Sequence, residues 1–193
     1  MSINELVIHY SPKWSVTEWA VVVAFAVLFL AGLLKYRPFH ITRQQALAIW
    51  SLVMYLIFIY CGAVFTRKNY STSRFMLEPF WSYRWGIRKY GLSIVQEVIL
   101  NVFMFLPVGV LLPVIFSNNK MESERRRFAI VMLVGLGCSL AVELLQVVLR
   151  CGLCEFDDLF HNVLGVAIGY RIFKWNSRRM VRDNPGTGMS RLK

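Results

Sequence analysis

Residues 95–116 read VQEVILNVFMFLPVGVLLPVIF, and after Gln96 and Glu97 the only hydrogen-bonding side chain in the stretch is Asn101. A helix rises 1.5 Å per residue, so roughly 20 such residues cross the about 30 Å hydrocarbon core of a bilayer. Working outward from this stretch, the chain offers apolar segments at 19–34, 46–65, 95–116, 128–149 and 159–175. The last carries His161, Asn162 and Arg171, yet 163–170 is apolar and Gly165 and Gly169 stand four apart. Small residues at that spacing let another helix approach closely. The fold expected is all-α, a polytopic membrane helix bundle of about five transmembrane helices.

Composition agrees. The chain is 56% hydrophobic and 17% charged, whereas a soluble domain carries roughly 45–50% apolar and about 25% charged residues. A net charge of +11 would also suit a nucleic-acid binder, but such a protein spreads its cations along one face. Here Lys and Arg fall between the apolar runs and after Trp175, so no nucleic-acid partner is expected. The first run follows Lys13 and Glu18 rather than a basic segment, and no small-residue cleavage site follows it. It therefore reads as a retained helix, not a signal peptide.

Basic residues near helix ends favour the cytoplasm. Lys35, Arg37 and Arg43, then Lys120 and Arg125 to Arg127, then Arg171, Lys174, Arg178, Arg179 and Arg182 share one side if five helices span. The N-terminus is then expected outside and the C-terminus inside. Residues 1–18 would be external, 19–175 the transmembrane domain, and 176–193 a cytoplasmic tail read as disordered for want of an apolar period.

One segment breaks that charge rule. Residues 66–94 fall outside yet hold Arg67, Lys68, Arg74, Arg84, Arg88 and Lys89, interleaved with Phe75, Phe80, Trp81, Tyr83, Trp85 and Tyr90. Aromatic rings and cations suit the headgroup zone, so this reads as an interfacial or re-entrant segment between helices two and three. Either its cations snorkel to lipid phosphates, or arginines with their planar donor fork hold a particular anionic ligand.

Polar side chains inside spanning helices are costly and so are candidates for function. Glu143, Gln146 and Arg150 fall on one stripe of a helix, as do Asp158, Asn162, Gly165 and Gly169, while Glu97 and Asn101 stand four apart. All lie toward the external ends of the last three helices, which points to one outward-facing polar pocket. The bland alternative is that Asn101, Glu143, Gln146 and Asn162 only join helices by hydrogen bonds. That suits a buried carboxylate least, because Glu143 needs a proton or a cation, with Arg67, Arg74 and Arg150 at hand. Asp157 and Asp158 read either as acid–base groups, as oxygen ligands for Mg²⁺ or Ca²⁺, or as a helix cap. Whether a metal binds is open, and no cofactor is implied. Cys151 and Cys154 form a C-x-x-C with no second pair to complete a zinc site, which leaves a disulfide or an ordinary loop.

The order Met76-Leu77-Glu78-Pro79-Phe80, Asn101, Phe105-Leu106-Pro107-Val108-Gly109, Glu143-Leu144-Leu145-Gln146, Asp157-Asp158, Asn162 and Gly165 resembles the VanZ-like family of bacterial membrane proteins, across residues 67–170. The resemblance implies a multi-pass protein of the bacterial cytoplasmic membrane, associated with resistance to teicoplanin, a lipid-anchored glycopeptide. It carries no settled reaction with it. Two functions are expected. One is a binding protein whose Arg67, Arg74, Asn101, Gln146, Arg150 and Asn162 contact membrane lipids, a lipid-linked cell-wall precursor or a lipoglycopeptide. The other is a hydrolase or transferase acting on a phosphate-containing envelope lipid through Glu143 and Asp158, with Asp157 a further candidate.

Overall fold

A computed structural model of the chain describes residues 15–36, 41–65, 70–118 and 123–183. Arg67, most of the external N-terminal segment and the last ten residues of the tail lie outside the described residues. The principal elements are α1 (Val16–Tyr36), α2 (Arg43–Tyr60), β1 (Arg74–Met76), α3 (Ile87–Tyr90), α4 (Leu92–Ile115), α5 (Glu124–Val148), β2 (Leu153–Glu155) and α6 (Phe156–Asp183). Each of the five apolar segments thus overlaps one helix to within a residue at its end, α2 running on into a π-turn at Cys61–Phe65.

The stretches Arg43–Val64, Leu92–Ile115 and Glu124–Val148 are long and apolar enough to cross a membrane, and α1 holds a shorter apolar run, Ala20–Tyr36. Large apolar side chains such as Leu28, Phe103, Leu133 and Val148 are exposed on their outer faces. A soluble protein would bury them, whereas lipid solvates them as well as a core does. The chain is an α-helical membrane protein.

The elements are fixed by local chemistry. The side chain of Thr42 accepts from the amide of Gln45 at 3.2 Å, and Gln45 Oε1 accepts from the amide of Thr42 at 2.9 Å, a capping box that starts α2. Gln45 Nε2 then donates to the carbonyl of Ile115 at 2.8 Å, which ties the start of α2 to the end of α4. Pro107 lies inside α4 and leaves the carbonyl one turn back without its helical donor. Beside that gap, Tyr55 Oη donates to the carbonyl of Met104 at 2.8 Å.

The closest packing joins α4 to α6. A methyl group added at Gly165 would overlap the carbonyl of Val102, one at Gly169 that of Leu106, and one at Gly109 that of Val166. The two backbones therefore touch, as the spacing of Gly165 and Gly169 predicts. Val166 fills the contact and also meets Gly135 of α5. Around it Phe105, Val108, Leu112, Val131 and Val142 form the core.

Residues 70–90 form a cap over one end of this bundle. β1 pairs in parallel with β2, Arg74 opposite Leu153 and Met76 opposite Glu155. This two-stranded sheet was not foreseen from an all-α pattern. Phe80 then turns at φ 59 into a π-turn at Ser82–Gly86 and the single turn α3, and Gly91 at φ 63 admits α4. A left-handed residue other than glycine, asparagine or aspartate is uncommon and marks a position held from outside.

Candidate functional site

The holding group is Asp157. It is fully buried, and its carboxylate accepts the amide of Phe80 on Oδ1 (2.6 Å) and the amide of Ser82 on Oδ2 (2.9 Å). These are unpaired N–H groups at the first turn of the helical part of the cap, so Asp157 acts as an N-cap supplied by a different helix. A cap was one reading of the acidic pair. The helix being capped is not its own.

Asp158 and Asn101 meet, with Nδ2 donating to Oδ1 at 2.6 Å. Asn162 donates to Ser139 Oγ at 2.9 Å, one turn from Glu143 on α5. Glu143 is buried and accepts the amide of Glu155 at 3.1 Å, and the thiol of Cys154 also bonds to it. Gln146 donates to the carbonyl of Ala63 at 3.1 Å, and so holds the end of α2. The polar stripes of α4, α5 and α6 thus converge beneath the cap.

The arginines take different places. Arg150 is exposed at φ 52 just past the end of α5, where it donates to the carbonyl of Ser71 at 3.3 Å and accepts the amide of Tyr70 at 2.7 Å through its own carbonyl. Arg74 is exposed and stacks 4.6 Å from the centre of the Tyr70 ring. Both stand at the rim rather than inside, and Arg67 is outside the described residues.

Several functional neighbours escaped the sequence. Trp81 Nε1 donates to Glu155 Oε2 at 2.9 Å, and Tyr83 Oη is 2.7 Å from His161 Nε2. Ser139 carried a signal, being one turn before Glu143 on its stripe. The partners of Trp81 and Tyr83 carried none, since each lies more than 70 positions away.

Burial pushes the carboxyl of Glu155 up to about 7, with Glu97, Glu143 and Asp157 adding to the rise and the Trp81 hydrogen bond opposing it. Burial and then the Glu143 carboxylate push the Cys154 thiol up to about 11. Burial likewise raises the phenol of Tyr83, with Asp157 adding to it. Gln146 Oε1, His161 Nδ1 and Asn162 Oδ1 are buried with no hydrogen-bond partner among the described residues. No three His, Cys, Asp or Glu side chains among those residues converge as a metal-ligand set, and no disulfide joins Cys151 to Cys154.

The arrangement defines a class: a helical membrane protein with a buried carboxyl–amide cluster closed by a basic, aromatic cap. The family model described as VanZ/LLP1 matches residues 46–177, more than half of the chain, and the chain belongs to that family. The matched region contains every element of the cluster and the cap and leaves out α1. No curated protein and no solved structure matches the chain.

Proposed function

We propose that this is a five-span protein of the bacterial cytoplasmic membrane, N-terminus outside, whose cap lies in the outer headgroup zone and binds an anionic lipid-linked molecule or lipoglycopeptide. The observation that carries the reading is the rim. Arg74, at the start of β1, and Arg150, just past α5, are both exposed and both touch residues 70–71, Arg74 through the Tyr70 ring and Arg150 through the carbonyl of Ser71 and the amide of Tyr70. Exposed guanidinium groups, one held by a backbone carbonyl and one by an aromatic ring, suit phosphate or carboxylate. Association with glycopeptide resistance follows from family resemblance.

Full-length protein in nanodiscs tests it, with labelled teicoplanin and a polyprenyl diphosphate as probes. Arg74→Gln with Arg150→Gln should weaken binding at least tenfold, as two lost charge-assisted contacts imply. Unchanged binding of both probes would sink the proposal. A cysteine at Ser73 should label from outside intact cells, and labelling only after permeabilisation would reverse the orientation.

A second reading, a membrane enzyme, is favoured by Glu155, because its carboxyl exchanges a proton near neutral pH. Glu143 and Asp158 would then act on a bound phosphate ester. Asp157 serves the cap, since backbone amides occupy both of its oxygens. Turnover of a polyprenyl diphosphate that disappears in Glu143→Gln while binding persists would favour this reading.

A further inference from the structure

The aromatic half of the cap carries a chemistry that the arginine rim does not. The ring centroids of Trp81 and Trp85 are 4.9 Å apart, and Tyr90 stands edge-on to Trp81 at 6.4 Å. Both indole N–H groups point at carboxylates, Trp81 at Glu155 and Trp85 at Glu78, the latter at 3.4 Å. With the positive ring edges satisfied by acids, the electron-rich faces remain to meet a cation. A cation is already there. Lys89 Nζ sits 5.4 Å from the centre of the Trp85 ring and 5.1 Å from that of Tyr90.

We propose that Trp85 and Tyr90, backed by Trp81 and Glu78, form a binding site for an organic ammonium group, and that Lys89 is an intramolecular stand-in which a ligand's amine displaces. The inference shares with the proposed function the premise that the cap is the ligand-facing surface, but it uses different residues. It makes the ligand zwitterionic: an anion at the arginine rim and an amine on the aromatic faces. Phospholipid headgroups and lipoglycopeptides both offer an alkylammonium.

The test uses full-length protein in phosphatidylglycerol nanodiscs, titrated with tetramethylammonium chloride against sodium chloride at equal ionic strength and read by tryptophan fluorescence. Lys89→Ala should tighten tetramethylammonium binding about two- to fivefold, the range of a surface cation–π contact. Trp85→Leu should weaken it by a similar factor. Because loss of Trp85 can loosen the cap, Tyr90→Leu, at the exposed edge, serves as a second variant with the same expected direction. Native mass spectrometry with phosphatidylethanolamine added separates the sources. Retention of that lipid over phosphatidylglycerol assigns the amine to a headgroup, and a tetramethylammonium response without such retention assigns it to another amine-bearing molecule. Identical responses to the two salts in wild type and Lys89→Ala overturn the site. The Arg74→Gln and Arg150→Gln pair should leave the ammonium response intact. A wild type that binds no anionic probe but keeps this response refutes the rim and not the aromatic site.

Discussion

Replacing Asp157 by alanine should release the cap while leaving the bundle folded. The carboxylate takes two backbone amides, and the two differ in what they lose. Phe80 is 42% exposed, so its amide can turn to solvent, whereas Ser82 is 4% exposed and its amide is left unpaired. Hydrogen bonds to a charged group contribute about 1.5–3 kcal/mol and an unpaired buried amide costs about 1–3 kcal/mol. The loss expected is therefore about 2–3 kcal/mol, a rise of about 30- to 150-fold in the open population of the cap. Asp157→Asn keeps one acceptor oxygen and should lose roughly half as much. Hydrogen exchange in nanodiscs reads this directly, with faster exchange across residues 78–90 and unchanged protection where α4 meets α6. Unchanged exchange in the cap would refute the assignment of Asp157 as its anchor. Equal loss of protection in α4 and α6 would show instead that the carboxylate holds the bundle itself.

The helix contact predicts that Gly169→Ala, whose methyl would overlap the carbonyl of Leu106, destabilises the protein by about 1–3 kcal/mol. Gly137→Ala, with open space around it, should have no such effect in the same unfolding assay. For Glu155 the folded carboxyl titrates at about 7, above its ordinary 4.5, so the folded state holds the proton more tightly. That contribution is fully present below pH 4.5 and lost as pH rises through 7. The melting temperature should fall between pH 5 and pH 8, and Glu155→Gln should flatten the fall. An unaltered pH profile in that variant would place the titration elsewhere, Glu97, Glu143 and Asp157 being the acids that face it.

The helices were legible because each apolar run is continuous and local, and a run of that length has one stable form in lipid. The α4–α6 contact was legible for a similar reason, since Gly165 and Gly169 announce a close approach without naming the partner. Asn101 meets Asp158, and Asn162 meets Ser139 of α5. The cap was not readable in the same way. Its two strands are three residues each and pair across a separation of 79 positions, and the anchor of its turn is an aspartate on another helix. Aromatic and basic residues set the segment apart from the apolar runs but say nothing of which rings meet or which acid each indole chooses.

The donors seen at Glu143 include the amide of Glu155 and the thiol of Cys154. Arg74 and Arg150 stand at the surface, Arg74 against the Tyr70 ring and Arg150 on the carbonyl of Ser71. Burial first, and then Glu97, Glu143 and Asp157, raise the Glu155 carboxyl toward 7, while on the outer side of the cap Lys89 rests on the Trp85 and Tyr90 faces. The proposed arginine rim and the proposed aromatic site have opposite charge preferences, so a ligand that used both would carry both charges.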